Sequence, residues 1–396
     1  MIPSASLPRL LAGLVLVGLA LRTQILVVGP LIPRIQQDLG ISHGVAGLLG
    51  TIPVLCMALM APLGPVLAAS VGPRLGVAIC VLAVGGFGLI RALVPGAPAV
   101  MVATIGIGAG MAVVGPVLSM FVRARTPRHA AAGTGAYVAG MVIGGTVAAG
   151  LAVTLADAFG GWRWAFGLIS AFAAVSLIAW LWLIPAEHGV QRSAPRRPRL
   201  PWRRSSAWLI GLVFGSQSVL FYGSISWLAS AYVERGWSDG DAAILIAVFN
   251  GVGLLATLSV PFFADRIGTR RSQLAAAGLV AAVGSLAIAL TPGEGPGSLI
   301  SIGAAGLLGI GIGAFFPLSL ALPVDVADGP SEAASISAFM LLVGYLFASV
   351  SPVMLGVIRD ATGSFTVVLW LLVAMAAAMV PLALSLGEGR LRRAGT

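Results

Sequence analysis

Apolar residues fill this chain in long unbroken runs rather than in the short alternation of a half-buried strand or helix. Twelve such runs occur, at roughly 10–35, 44–69, 74–95, 98–122, 131–156, 162–184, 206–232, 241–263, 273–291, 298–322, 333–357 and 365–386. About 20 apolar residues in a helix cover the hydrocarbon core of a bilayer, so each run predicts one transmembrane helix. Most connections are a few residues long, and consecutive helices are expected to be antiparallel neighbours. The first run lies near the N-terminus, but its length, Arg22 within it and the similar runs that follow read as a retained helix rather than a signal peptide. Residues 186–205 (AEHGVQRSAPRRPRLPWRRS) break the pattern. Basic and proline-rich, they cannot span. They predict a cytoplasmic linker between an N-terminal six-helix bundle over 1–185 and a C-terminal one over 206–396.

Composition supports this all-α membrane class. The chain is 58% hydrophobic and 9% charged, against about 25% charged residues in soluble domains. A soluble fold of this size needs a polar shell that the sequence lacks. All 23 basic residues are Arg. With the N-terminus placed in the cytoplasm, 17 of them fall in inner loops and tails and four (Arg34, Arg163, Arg235, Arg359) in outer ones. The positive-inside rule then puts both termini in the cytoplasm of an inner-membrane protein. The net charge of +10 is thus topological, and no nucleic-acid partner is implied. Cys56 and Cys80 sit inside apolar runs and read as small hydrophobes, not a disulfide or metal pair.

The two halves echo one another. Pro65-x3-Ala69-Ser70-x-Gly72-x-Arg74 follows the second run, and Pro261-x3-Asp265-Arg266-x-Gly268-x-Arg270 follows the eighth, 196 residues later. Gly106-x-Gly108-x-Gly110 in the fourth run pairs with Gly309-x-Gly311-x-Gly313 in the tenth. Parallel six-helix repeats are the architecture of major facilitator transporters. The stretch Pro261 to Arg271 resembles that superfamily's cytoplasmic loop motif, with Pro at its first Gly. A narrower resemblance covers nearly the whole chain and is to the cyanate/nitroimidazole permease group. It is carried by Leu21-Arg22, Gly29-Pro30-Leu31-Ile32-Pro33 and Asp38-Leu39-Gly40 in the first run. Gln217-Ser218, Phe221-Tyr222 and Trp227-Leu228 carry it in the seventh, and Gly356, Arg359-Asp360 and Thr362-Gly363-Ser364 at the end of the eleventh. The resemblance implies a secondary carrier of small solutes, cyanate-like anions or, alternatively, effluxed drugs such as nitroimidazoles. Two departures stand out. Ala69-Ser70 replaces Asp-Arg in the first loop, and the fifth run has Gly140, Gly144, Gly145 and Gly150 without the Gly-Pro pair of an antiporter motif.

Arg22 is the sharpest candidate. A guanidinium at mid-membrane costs about 2.5–3.5 kcal/mol on insertion scales, and no short path lets it snorkel to an interface. It is expected to face a water-filled cavity between the halves and bind substrate; the alternative is a structural Arg on backbone carbonyls near Gly29, Pro30 and Pro33. Arg91, in the outer part of the third run, either joins Arg22 on one solute or snorkels outward. The thirteen acids all fall near run ends or in loops. A mid-membrane Arg with no carboxylate at its depth favours an anionic solute, because guanidinium presents paired donors to carboxylate-like groups. His43, His129 and His188 lie near span ends or in loops, where solvated roles are expected, so no proton relay is evident.

Gln217, Ser218 and Tyr222 in the seventh run, Asn250 in the eighth and Tyr345 in the eleventh are candidate substrate-binding groups, or helix–helix hydrogen bonds. Trp227 reads as an outer aromatic-belt residue. Asp265, Arg266 and Arg270 resemble a cytoplasmic gating latch, with plain topogenic charge as the alternative. An intramembrane enzyme would need an acid, a His pair or an activated nucleophile at depth, which this pattern argues against. No nucleotide loop, cofactor or metal set is implied. The expected partners are a small-molecule substrate and the lipid bilayer, with the protein a monomer.

Overall fold

A computed structural model describes residues 6–185, 200–264, 269–291 and 298–387. Among these the chain forms helices α1 (Leu7–Leu26), α2 (Val28–Leu39), α3 (His43–Met60), α4 (Leu63–Val71), α5 (Pro73–Leu93), α6 (Ala97–Arg125), α7 (Ala130–Phe159), α8 (Trp162–Leu183), α9 (Ser205–Glu234), α10 (Asp239–Ala264), α11 (Arg270–Leu290), α12 (Leu299–Val326), α13 (Pro330–Thr362) and α14 (Phe365–Leu384). All but α2 and α4 are long and apolar enough to cross a membrane, giving twelve candidate spans among the described residues.

Two of the predicted runs are each broken into two helices. The first divides at Val27, between α1 and α2. Pro30 has no N–H to return to the Leu26 carbonyl, which weakens the ladder there. The second ends its regular helix at Met60, because Pro62 lacks the N–H that the Ala58 carbonyl would accept, and restarts as α4.

The described residues gather into two compact units, Met1–Ile41 with Ile52–Arg197, and Ser42–Thr51 with Pro198–Thr396. The first nine residues of α3 therefore group with the second unit. In unit 1, α1 packs on α7 and α8, and α5 on α6 and α8. In unit 2, α9 packs on α13 and α14, and α11 on α12 and α14. These are the same pairs, six spans apart, so the sequence echo is also an echo of packing.

The glycine motifs show how close that packing is. Gly18, Gly140 and Gly144 bring the α1 and α7 backbones together: a Cβ at Gly144 would stand 2.7 Å from Leu19 Cα. In α6 a Cβ at Gly108 would stand 2.8 Å from Pro53 Cα on α3, and one at Gly110 2.9 Å from Cys80 O on α5. In α12 Gly309 faces Phe249 of α10, and Gly311 faces Ala281 of α11. Gly108 thus corresponds to Gly309 and Gly110 to Gly311. The register inferred from the sequence is shifted by two, because Gly-x-Gly-x-Gly matches itself at that offset while successive glycines sit about 200° apart on the helix.

Candidate functional site

Arg22 lies on the more accessible stripe of α1, with Pro8, Ala12, Val15 and Leu19 at three- and four-residue spacing. Gln24, two residues on, is fully buried on the opposite side. Its Nε2 donates to Ser170 Oγ at 2.9 Å. Ser170 is eight residues into α8, about 12 Å from that helix's start. Gly88, which touches both Gln24 and Ser170, is five residues from the end of α5, about 8 Å. Gln24 is therefore set roughly 8–12 Å below those helix ends, and Arg22 about 3 Å deeper. That is close to the middle of a hydrocarbon core about 30 Å thick.

Arg91 turns inward instead of snorkelling. It is 1% exposed, its Nη2 donates to Gln24 O at 3.0 Å and Gln24 Oε1 at 2.8 Å, and its guanidinium lies 4.1 Å from the Phe166 ring centroid. Arg91 thus meets a main-chain carbonyl beside the break in the first run. Its polar contacts lie within unit 1, with Gln24 of α1, and its ring contact is with Phe166 of α8.

Among the described residues every Asp and Glu stands in a terminal turn of a helix or outside helices. Several meet the arginines at the same ends: Arg34 with Asp157 at 2.6 Å, Arg163 with Asp38 at 3.4 Å, and Arg359 with Glu234 at 2.9 Å. Arg235 donates to the carbonyls of Ile288 and Thr291.

The candidate polar groups of unit 2 are mostly buried. Gln217, Ser218 and Tyr222 lie on α9, and Ser218 Oγ donates to Gln217 Oε1 at 3.2 Å. Tyr345 of α13 is half-buried and meets the Phe214 ring edge-on at 5.3 Å and the Tyr222 ring at 6.5 Å. Asn250 gives an amide hydrogen to Ile246 O at 2.9 Å, one turn back on its own helix. Trp227 departs from expectation. It is fully buried, not a belt residue, because its indole N–H donates to Pro352 O at 2.7 Å and its ring lies against His43 and Phe365.

Of the three latch candidates, Asp265 and Arg266 lie outside the described residues. Arg270, the first residue of α11, has Nε 3.1 Å from Asp325 Oδ2 at the end of α12. Its repeat mate Arg74 does different work, donating to the carbonyls of Leu181 and Ile184 where α8 ends.

One cluster was missed from sequence. Asp360 accepts the backbone N–H groups of His43 at 3.1 Å and Gly44 at 2.8 Å, and its Oδ1 is 2.7 Å from His43 Nδ1. The carboxylate thus caps the start of α3, and a Cβ at Gly47 would stand 2.8 Å from Val353 Cα of α13. The small residues Gly44, Gly47 and Gly50 at three-residue spacing were the available signal.

Comparison with known proteins agrees with this architecture. Residues 11–352 match the Major Facilitator Superfamily. The 2-nitroimidazole transporter of Escherichia coli (strain K12) is 28% identical over 360 residues, covering 90% of each chain. The cyanate transport protein CynX of the same organism is 29% identical over 356 residues, covering 90% of this chain and 91% of that one. A solved mutant of the nucleoside transporter NupG superposes with a TM-score of 0.79 at 12% identity, covering 95% of this chain and 99% of that one, a likeness of fold alone. With its twelve spans, repeated packing and a match over most of its length, the chain belongs to the major facilitator superfamily and is a multi-pass membrane transporter similar to the CynX/NimT-like permeases.

Proposed function

We propose that the protein carries a small anion, cyanate-like or a compact organic acid, and that Arg22 binds it. The observation that carries this reading is the placement of Arg22 near mid-depth, on the accessible stripe of α1, while the described carboxylates stand at helix ends. Holding a guanidinium at that depth carries a desolvation cost, which a solute of opposite sign offsets. The relative named a cyanate transport protein supports an anion of this size. Gln217, Ser218, Tyr222, Asn250 and Tyr345 supply amide, hydroxyl and ring surfaces along the route. The halves 1–185 and 206–396, joined by the basic linker 186–205, move alternately to open the site to each side. Asp265, Arg266 and Arg270 form the inner latch, both termini are cytoplasmic in the inner membrane, and the carrier works as a monomer.

The test is uptake of radiolabelled cyanate into proteoliposomes holding the full chain. Arg22→Gln is expected to lower the initial rate at least tenfold. Full-rate cyanate uptake by that variant would overturn the reading. The relative named a 2-nitroimidazole transporter supports efflux of a small nitroaromatic drug instead, and full-rate transport of 2-nitroimidazole by Arg22→Gln, with none of cyanate by the unmodified chain, would favour that alternative.

A further inference from the structure

The break at Val27 leaves the last carbonyls of α1 in need of donors. Val27 N–H returns to Thr23 O at 3.1 Å. The next carbonyl, Gln24 O, is met by Arg91 Nη2, which also holds the Gln24 side chain through Oε1. A cation at a helix C-terminus is favoured by the helix dipole as well. The far end of the Gln24 amide is held by Ser170, whose hydroxyl donates to Phe166 O at 2.7 Å. Phe166 in turn carries the Arg91 guanidinium on its ring face. The loop of contacts closes over four residues of three helices, with Gly88 leaving the room: a Cβ there would stand 2.6 Å from both Gln24 Nε2 and Ser170 Oγ.

Stability alone does not account for an arginine here. Arg91 Nε is buried without a hydrogen-bond partner, and a buried charge is commonly less stabilising than an apolar residue of similar volume. What a fixed guanidinium supplies is geometry. Arg22 and Gln24 are two residues apart, about 200° around the helix. Clamping the main chain and side chain of Gln24 against α5 and α8 therefore sets where Arg22 projects.

We propose that Arg91 is a positioning residue, which through Gln24 fixes the rotation of α1 about its axis and so aims Arg22 at the transported solute. The inference rests on the reading of Arg22 as the anion-binding group, and it extends that reading to a residue that does not touch the solute. Loss of Arg91 frees the last turn of α1 to rotate, and Arg22 loses its fixed bearing while keeping its charge.

The test reads rotation directly and needs no solute. In the full chain carrying Cys56→Ala and Cys80→Ala, Arg22→Cys and the buried Thr23→Cys are compared for their rate of reaction with a charged methanethiosulfonate reagent in detergent. The Arg22→Cys chain is expected to react at least tenfold faster. Adding Arg91→Ala should shrink that ratio to about threefold or less, and Arg91→Lys, which still donates to Gln24, should restore most of it. A merely structural arginine would lower the melting temperature and leave the ratio intact, and an unchanged ratio in Arg91→Ala overturns the proposal. Should Arg91→Ala fail to fold, Gln24→Leu takes its place: a ratio reduced at least threefold supports the clamp, and an unchanged one rejects it. Failure of the anion reading is seen separately, as cyanate uptake that does not depend on Arg22.

Discussion

Gly135 and Gly144 lie nine residues apart on α7, and the same substitution at the two sites should have opposite effects. A Cβ at Gly135 meets nothing within 4 Å. Replacing that glycine with alanine removes only the entropic cost of glycine in a helix, a gain of about 0.5–1 kcal/mol. A Cβ at Gly144 would stand 2.7 Å from Leu19 Cα and 2.8 Å from its carbonyl carbon. Ordinary carbon–carbon contact is about 3.5–4.0 Å, so α1 and α7 must part by about 1 Å. Main-chain atoms cannot rotate aside as a side chain can. Overpacking of this kind costs about 1–3 kcal/mol, and the upper end applies where the whole seam of Gly18, Gly140 and Gly144 must open. Offset by the helix gain, Gly144→Ala should lose about 2 kcal/mol, and the two variants should differ by about 3 kcal/mol. Reversible unfolding by dodecyl sulfate in mixed micelles measures the difference as a shift in midpoint. Equal midpoints for the two variants would refute the claim that α1 and α7 meet backbone to backbone.

Other consequences are as specific. Asp360→Ala removes the cap on α3, at a cost of about 1–2 kcal/mol, and hydrogen exchange at the His43 and Gly44 amides should quicken with it; unchanged exchange would remove the cap. Trp227→Phe keeps an aromatic ring but deletes the donor to Pro352 O and vacates the space of the lost pyrrole ring, so in the same unfolding assay it should cost more than the hydrogen bond alone, about 0.5–1.5 kcal/mol. Arg270→Ala breaks a partly exposed pair with Asp325, worth about 0–1 kcal/mol, so its stability should hardly move while its transport rate falls. A rate equal to that of the unmodified chain would remove Arg270 from the latch.

How much of this was legible in the sequence depends on the physics of each feature. The spans were legible because a bilayer demands about 20 apolar residues whatever their neighbours. The breaks at Val27 and Ala61 were foreshadowed by Pro30 and Pro62, since a missing N–H is a local property. Facing was not legible. The helices are apolar on every side, so no stripe distinguishes bundle interior from lipid or solute path. That is why Arg91 could be drawn inward to Gln24, a residue with no signal of its own, and why Trp227 could be buried against Pro352. The Asp360–His43 contact joins residues 317 positions apart, and nothing in either local sequence announces the other. Arg74 and Arg270 occupy the same place in the repeat yet serve a helix end and a carboxylate respectively. The repeat preserved position, and local chemistry decided the partner.

On the proposed function, the cargo that meets Arg22 carries a negative charge. Thermal unfolding of the purified chain with cyanate, and with a neutral solute of similar size, addresses it most directly, since a ligand of the folded state stabilises it by mass action. Cyanate is a usable probe because the chain has no lysine ε-amine to carbamylate and its two free thiols, Cys56 and Cys80, are buried. At a hundred times its dissociation constant a bound ligand adds about 2.7 kcal/mol. The melting point should be raised by the anion and not by the neutral solute, with the rise abolished in Arg22→Ala. Stabilisation by the neutral solute alone, or an anion effect that persists in Arg22→Ala, would contradict it.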